Sequence, residues 1–239
     1  MRQSPHPPLA TGTIAPITIA DGTLEALKWL GIVLMTLDHA NRYLLAGQVP
    51  LLFALGRIAM PLFGFVLAYN LARPGALANA VFKRTRTRLL LYGAIATIPF
   101  VALKAPLTYG WWPLNVLFTL WVGTVLIELL ERRRPQRMLV ILPLFAFGSL
   151  LPEYWHLGTG AMIAAWYWCK QPRGSSLVMW MVPLAALVII NQNFYALLVI
   201  PLVYAAQFIE LPVPRYRHVF YVFYPAHLAV FWLTQALFA

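Results

Sequence analysis

Long apolar runs, separated by short polar, charged or proline-containing stretches, occupy the chain from about residue 24 to its end. Most of the runs approach the length of about 20 residues that an α-helix needs to cross a bilayer. The run at 138–151 is shorter and would span a bilayer only if tilted or extended. The pattern predicts nine helices, at 24–46, 51–72, 82–103, 113–131, 138–151, 157–170, 176–190, 194–210 and 218–238.

The stretch before the first apolar run has a different character. Residues 1–22 are rich in proline and threonine and lack the basic start and apolar core of a secretory signal, so they read as a disordered leader. Asp21 and Thr23 supply turn and capping chemistry, and Glu25 complements the helix dipole, so the first helix should start near Leu24. We expect a transmembrane domain at 23–239.

Composition excludes a soluble domain. Hydrophobic residues make up 61% of the 239 positions, charged residues only 10%, and the mean hydropathy is +0.72. Lipid can solvate such an apolar excess directly, whereas a water-soluble surface needs more polar residues than this chain has. The predicted fold class is therefore all-α, a polytopic integral membrane helix bundle of about nine transmembrane helices.

Basic residues alternate between the predicted connections, as expected when Lys and Arg mark the cytoplasmic side. Of the eighteen, thirteen fall in connections two–three, four–five, six–seven and eight–nine. This places the N-terminus in the cytoplasm and predicts a multi-pass protein of a bacterial inner membrane. Topology alone accounts for the net charge of +11, so we expect membrane lipids and no nucleic acid as partners. The thirteen are Arg73, Lys83, Arg84, Arg86, Arg88, Arg132, Arg133, Arg134, Arg137, Lys170, Arg173, Arg215 and Arg217.

Three ionisable residues, Asp38, His39 and Arg42, stand near the outer end of the first predicted helix. A charge there costs on the order of 2.5–3.5 kcal/mol, so these residues form the first candidate site. Asp38 and Arg42 are one turn apart and can form an ion pair on one face of the helix. The alternative is an interhelical salt bridge that only holds the bundle together.

Further polar residues map to the same outer side: Arg57, Asn115, Thr119 and Glu153. An amide and a hydroxyl one turn apart can face one cavity, and Glu153 adds acid–base capacity. Each has a structural alternative. Arg57 can be a snorkelling arginine, Asn115 and Thr119 can form interhelical hydrogen bonds, and the Glu153 carboxylate can be a solvated loop group. His227 follows Tyr224 in the inward half of the last predicted helix.

Five local strings resemble the TraX/TrbP family of conjugal-transfer membrane proteins, which includes the F-pilin acetylase. The matching segments are 27–42 (LKWLGIVLMTLDHANR), 56–64 (GRIAMPLFG), 84–100, 114–119 (LNVLFT) and 221–228 (YVFYPAHL). The resemblance implies an acetyltransferase that moves an acetyl group from acetyl-CoA to the N-terminal amine of a pilin subunit. It also implies other conjugative transfer components as partners. The stretch 152–158 departs from the family's Asp-Tyr-Gly pattern, with Glu153 replacing the aspartate in a longer loop.

Acyl transfer to an amine needs a base, a group that orients the base, and donors for the developing oxyanion. We expect His39 as the base, with Asp38 and His227 as its catalytic partners. Nine residues are expected to bind substrates: three arginines, at 84, 86 and 88, should hold the nucleotide phosphates, and the other six should bind the acceptor or the thioester. The binding candidates are Arg42, Arg57, Arg84, Arg86, Arg88, Asn115, Thr119, Glu153 and Tyr224.

Other classes of chemistry find little support in the sequence. The five histidines are scattered, so we expect no metal site, and the single cysteine, Cys169, gives no basis for an acyl-enzyme. Two alternative functions stay open: a proton-coupled transporter with an acid–histidine relay, and a non-catalytic assembly factor for the pilus.

Overall fold

The fold is given by a computed structural model that describes residues 15–103, 110–132 and 135–238. Helices dominate these ranges, and the described residues include no β-strand beyond one isolated bridge between Leu114 and Pro152. Residues 1–14 of the predicted leader lie outside the described ranges, as do three basic residues, Lys104, Arg133 and Arg134. The α-helices are α1 (Asp21–Tyr43), α2 (Pro50–Gly56), α3 (Ala59–Ala72), α4 (Val81–Ala102), α5 (Val116–Glu131), α6 (Met138–Pro143), α7 (Trp155–Lys170), α8 (Gly174–Ala186), α9 (Val188–Asn191), α10 (Val199–Ala206) and α11 (Val219–Phe238).

Each of the nine predicted segments contains helix, which confirms the all-α prediction for the described residues. The first helix begins at Asp21, three residues before the expected start, and no side chain caps it. Ahead of it, residues 15–20 of the predicted leader have no regular structure, but Ile19 is buried and its N–H donates to the Tyr69 hydroxyl at 3.0 Å. The eighth predicted segment, 194–210, ends early, at Ala206.

The second predicted helix, 51–72, is divided into α2 and α3 by a turn at Arg57 and Ile58. Pro61 explains the division, because a proline has no N–H to donate to the carbonyl four residues earlier, which here belongs to Arg57. The turn sets the arginine at a junction between two helices instead of on a continuous helical face. This junction is central to the site described below.

The fifth predicted helix, 138–151, is a composite. A 3₁₀ turn (Pro135–Arg137) leads into α6, and a π-helical turn (Leu144–Gly148) follows it. Pro143 lies at the change from α to π geometry, where its missing N–H already breaks the regular ladder. Leu139 and Phe147 are among the most exposed apolar side chains of the described protein, at 79% and 72%.

Ion pairs gather the termini of several helices at one end of the bundle. Arg73 after α3 pairs with Asp21 at the start of α1, at 2.5 Å. Lys170 at the end of α7 pairs with Glu131 at the end of α5, at 2.8 Å. We call this end, which also holds the start of α4, the basic end. Helices α1 and α11 run away from it side by side, since Lys28 lies over the Phe220 ring and the Gln235 amide donates to the Tyr43 carbonyl.

The main hydrophobic core lies where α3, α7 and α8 pack together. Phe65 stacks on Trp180 with ring centroids 5.3 Å apart, and Trp180 stacks on Trp168 at 5.1 Å. All three rings are buried. This aromatic core fixes α3 from behind, and so supports the wall of the cavity on the other face of α3.

Two helical segments, Pro50–Ala72 and Gly174–Asn191, are long and apolar enough to cross a membrane. The stretches Met138–Gly148 and Tyr195–Ala206 are apolar but shorter. Length and composition of these helices suggest a membrane protein.

Candidate functional site

A cavity of about 600 Å³ lies among α1, α3, α4, α5 and α11. Its middle is apolar, with Met35, Phe63 and Leu120 among the side chains that line it. The end nearer the basic end has a cluster of cations, which we call the cationic mouth: Lys28, Arg84, Arg88, Arg215 and Arg217. The opposite end has acidic, basic and hydroxyl groups, which we call the polar chamber: Asp38, His39, Arg42, Arg57, Glu153 and Tyr224.

In the polar chamber, Asp38 forms an ion pair with Arg57 of the α2–α3 junction. The spacing in the sequence allowed Asp38 to pair with Arg42 one turn along its own helix, but this pair does not form. The guanidinium of Arg42 instead lies 5.6 Å from the centre of the Tyr43 ring. Asp38 is buried, so a partner from a second helix both neutralises its charge and joins α1 to α2.

Gly56 permits this pair. A β-carbon at residue 56 would lie 2.3 Å from the β-carbon of Asp38 and 2.7 Å from its carboxyl carbon. Only glycine lets the two backbones come this close. Gly56 lies within one of the matching strings, but nothing in the local pattern of the sequence says which neighbour a glycine faces.

His39 and His227 form a hydrogen-bonded pair of imidazoles with nearly parallel ring planes, with Nδ1 of His39 2.7 Å from Nε2 of His227. The other nitrogen of His227, Nδ1, lies 3.0 Å from the Phe223 carbonyl, which can only accept. A neutral His227 therefore carries its proton on Nδ1 and accepts at Nε2, so His39 donates from Nδ1. This leaves Nε2 of His39 with a lone pair, as a base requires.

His227 lies in the first half of α11, as the sequence predicted, and at the same level as His39. It contacts the cavity only through His39, because it is not among the residues that line it. His227 is thus placed to orient the base without touching a ligand.

Glu153 lies in the connection between the π-helical turn and α7. Backbone hydrogen bonds hold it there: the Glu153 N–H donates to the Leu114 carbonyl at 2.8 Å, and the Leu114 N–H donates to the Leu151 carbonyl at 2.9 Å. Its carboxylate interacts with the N–H of Val116, the first residue of α5. Burial raises the pKa of Glu153 to about 7, although Arg42 and Arg57 oppose that shift. The group can therefore gain or lose a proton near neutral pH.

Asn115 and Thr119 do not face the cavity, contrary to the prediction. The Asn115 side chain caps α5 by accepting from the Leu117 N–H at 3.2 Å, and its amide donates to the Gly93 carbonyl at 2.9 Å. The Thr119 hydroxyl donates to the Glu153 carbonyl. Both residues satisfy backbone groups, and Thr119 also holds Glu153 in place. This is the hydrogen-bonding alternative that the sequence left open.

Arg86 also lies outside the cavity. Its guanidinium pairs with the buried carboxylate of Glu128 on α5 at 2.8 Å, and Arg132 pairs with the same side chain. Of the three arginines predicted to bind phosphate, Arg84 and Arg88 line the cationic mouth. Helical spacing explains the difference, since residues 84 and 88 share a face from which residue 86 is turned by about 200°.

Neither a metal site nor a cysteine nucleophile is formed by the described residues. Among them, no group of three or more His, Cys, Asp or Glu lies close enough together to hold a metal ion. Cys169 packs against the hydrophobic core and does not line the cavity. Acid–base chemistry by histidine and carboxylate is what the chamber offers.

Comparison with known proteins identifies relatives over most of these elements. A family model described as TraX protein matches residues 23–235. Protein TraX of Escherichia coli (strain K12) is 32% identical over 112 residues, which are 47% of this chain and 42% of that protein. An uncharacterised protein of Rickettsia prowazekii (strain Madrid E), RP591, is 31% identical over 100 residues, which are 41% of this chain and 34% of that protein. The chain therefore spans less than half the length of these two relatives. No solved structure matches the chain.

Proposed function

Because the chain belongs to the TraX family, we propose that it is a membrane-embedded acetyltransferase. The donor is acetyl-CoA, and the acceptor is the N-terminal amine of a conjugative pilin subunit. Family membership by itself implies a conjugation-related role. The observation that carries the enzymatic proposal is the single cavity that joins a cationic mouth to a chamber with a free imidazole nitrogen.

The length of the cavity suits a coenzyme A arm. Lys28 at the mouth and His39 in the chamber are eleven residues apart on α1, which corresponds to about 16 Å of helix. A pantetheine arm has as many backbone bonds as about four residues of extended peptide, so it spans on the order of 14 Å. Side chains at both ends shorten the gap. With its phosphates at the mouth, the donor can therefore present its thioester in the chamber.

The chemistry proposed is direct transfer. The acceptor nitrogen attacks the thioester carbonyl, and Nε2 of His39 takes the proton that this nitrogen loses. The carbon–sulfur bond breaks as the amide forms, and the departing thiolate takes the proton from His39. His227 holds His39 in the required tautomer, in the manner of the orienting member of a catalytic triad.

The remaining chamber residues have supporting parts. Arg42 and Arg57 are the cations nearest the reacting end of the cavity and can donate to the oxygen on which negative charge develops. Asp38 neutralises and orients Arg57. Glu153 lies across the chamber and can hold the ammonium form of the acceptor. Its pKa of about 7 also lets it take the first proton from that group, which frees the nitrogen lone pair for attack.

We also propose the orientation that the sequence predicts: an inner-membrane protein that crosses the bilayer several times, with its N-terminus and the basic end in the cytoplasm. Coenzyme A is then on the side of the cationic mouth. The polar chamber is on the opposite side, where the N-terminus of a mature pilin would be exposed.

The test is the intact mass of a conjugative pilin co-expressed with this protein. We expect the pilin mass to increase by one acetyl group with the wild-type protein, and to stay unmodified with His39→Ala. His156→Ala is the matched control, since His156 bonds to the Ala146 carbonyl outside the cavity and its loss should leave acetylation intact.

Two results would contradict the proposal. Pilin that stays unmodified although it assembles only when the protein is present would identify an assembly factor. An unmodified pilin together with proton-coupled uptake that depends on His39 would identify a transporter.

A further inference from the structure

The cationic mouth contains more positive charge than its acidic neighbours can neutralise. Glu25 serves two of its five cations: its Oε1 lies 2.5 Å from the Lys28 ammonium and 3.9 Å from the Arg215 guanidinium. Within the described ranges, no carboxylate pairs with Arg84, Arg88 or Arg217. A cavity wall with this surplus attracts an anion that carries several charges.

Several other basic residues at the same end are balanced. Arg73, Arg86, Arg132 and Lys170 each pair with a carboxylate, and none of the four lines the cavity. A charge that serves only to fix topology could lie anywhere at the cytoplasmic ends of the helices. The mouth cations thus differ from these four in place, and Arg84, Arg88 and Arg217 differ from them in pairing as well.

Aromatic rings accompany the cations at the mouth. The Lys28 ammonium lies 4.5 Å from the centre of the Phe220 ring, and the Arg88 guanidinium lies 5.8 Å from that of Tyr221. Tyr216 also lines the cavity, and 47% of it is exposed. Flat aromatic faces beside phosphate-binding cations are suited to a nucleotide, since they offer a stacking surface for a planar base.

The segment that carries Arg215 and Arg217 is attached to the start of α1. The Thr23 hydroxyl donates to the Ile209 carbonyl at 2.6 Å and accepts from the Leu211 N–H at 3.2 Å. Gly22 allows this contact, because a β-carbon there would lie 1.9 Å from the Leu211 carbonyl oxygen. Two arginines from a connection between helices are thereby brought to the same opening as Lys28.

We propose that Lys28, Arg215 and Arg217 complete, with Arg84 and Arg88, a binding site for the clustered phosphates of a nucleotide. This inference rests on the proposed function, since acetyl-CoA supplies a diphosphate and a separate 3′-phosphate next to an adenine. Glu25, which is buried, positions Lys28 and Arg215 without touching the ligand. The sequence had indicated only a topological role for Arg215 and Arg217.

The experiment measures binding without any acetyl transfer. Full-length protein in nanodiscs of phosphatidylcholine is titrated calorimetrically with coenzyme A, with dephospho-coenzyme A and with pantetheine. We expect affinity to fall in that order. The double variant Arg215→Gln/Arg217→Gln should raise the Kd of coenzyme A on the order of tenfold or more, because charge-assisted hydrogen bonds to phosphate are lost. Its affinity for pantetheine should not change.

Lys83→Gln is the matched control. Lys83 is exposed at the start of α4, next to Arg84, and does not line the cavity. The substitution removes one positive charge from the same end but none from the cavity. The coenzyme A affinity of this variant should therefore stay close to that of the wild type. Arg215 and Arg217 are exposed, so the double variant should keep the wild-type melting temperature, which separates lost binding from lost folding.

Three results would overturn the inference. The first is a double variant that binds coenzyme A as tightly as the wild type does. The second is a wild-type protein that binds coenzyme A no better than pantetheine. The third is coenzyme A binding that disappears when phosphatidylglycerol is added to the nanodiscs, while the protein retains that lipid through Arg215 and Arg217. That result would make the mouth a site for an anionic lipid headgroup.

These outcomes are separable from failure of the proposed function. Tight, Arg215-dependent coenzyme A binding with an unmodified pilin would support the phosphate site and contradict the pilin as acceptor. Full pilin acetylation by the double variant, with an unchanged dependence on acetyl-CoA concentration, would contradict the phosphate site and leave the acetyltransferase proposal standing.

Discussion

At the scale of single residues, the two adjacent polar side chains of α1 have different partners. Asp38 pairs with Arg57 at the α2–α3 junction, and His39 bonds to His227 on α11. Neighbouring residues of a helix point about 100° apart, so one helix can present a carboxylate to one neighbour and an imidazole to another. The ion pair holds the chamber together, and the imidazole pair supplies its base.

His227→Phe tests the orienting role of the second histidine. The change removes the acceptor for Nδ1–H of His39, so we expect kcat to fall on the order of tenfold, with KM for both substrates unchanged. His39→Ala should cost more, about 100-fold. His227→Gln retains a side-chain acceptor and should recover part of the rate. Steady-state acetylation kinetics make the measurement, and a Gln variant as slow as the Phe variant would point to packing alone.

Glu153 should give the reaction a pH dependence. Its pKa is about 7, so the carboxylate is charged above that pH and neutral below it. If the charged form holds the acceptor's ammonium group, KM for the acceptor should rise as pH falls through 7. In Glu153→Gln, KM should be high at every pH and lack this step. The same step persisting in the Gln variant would assign it to another group.

At the scale of helices, the site depends on close approach at two junctions. Proline sets the first, because Pro61 ends α2 at the residue whose side chain pairs with Asp38. Glycine sets the approach of α1 and α2, because only Gly56 fits beside Asp38. Neither residue has a functional group, yet together they decide where Arg57 points.

Gly56→Ala should therefore destabilise the protein. The added methyl group meets Asp38 at well below contact distance, and such overpacking costs about 1–3 kcal/mol. A lower melting temperature and reduced transfer should appear together. Gly64→Ala on α3 is the control, since a β-carbon at residue 64 would lie an ordinary 3.9 Å from its nearest neighbour, the Met162 β-carbon. Equal melting temperatures for the two variants would contradict the close approach.

Arg86→Gln separates a structural arginine from the phosphate-binding ones. Glu128 is buried and keeps only Arg132 as a partner, so we expect a loss of about 1 kcal/mol in the free energy of unfolding. KM for acetyl-CoA should not change. Arg84→Gln should show the reverse: a raised KM with little effect on stability. Thermal unfolding and donor titrations of both variants make the comparison.

At the scale of the whole molecule, five helices enclose one continuous space between two kinds of chemistry. Charges gather at the mouth and in the chamber, and apolar side chains separate them. Under the proposed function, this arrangement would let a donor with an anionic head and a long thin arm reach an acceptor at the other end. It would also keep the thioester away from bulk water until the acceptor arrives.

A bulky residue in the apolar middle should block that passage. Leu67→Trp on α3 adds an indole to the apolar lining of the cavity, to which Met35 and Leu120 also belong. We expect acetyl transfer to fall about 100-fold or more, because the thioester is kept from its reacting position. Binding of the nucleotide at the mouth, with or without its 3′-phosphate, should weaken much less. Leu91→Trp, on an exposed position of α4, is the control and should leave transfer unchanged.

The sequence by itself determined the helical class, the approximate position of nearly every helix, the family and most of the polar residues around the cavity. It could do so because apolar runs with polar boundaries can form little else than helices, and because an ionisable side chain in such a run is too costly to be incidental. Asp38 and His39 were found in this way, and Arg57 and Glu153 were found because they map to the same outer side. The free-energy cost of an ionisable side chain in an apolar run identifies the residue but not the partner that it contacts.

Only the tertiary structure decided which of these groups meet. It exchanged Arg42 for Arg57 as the partner of Asp38, set Asn115 and Arg86 in supporting contacts, and brought Lys28, Arg215 and Arg217 to one opening. These outcomes depend on helix rotation, on the turn imposed by Pro61 and on the gap left by Gly56. A contact between residues far apart in the chain is fixed by how whole helices pack, and no local pattern of residues contains that information.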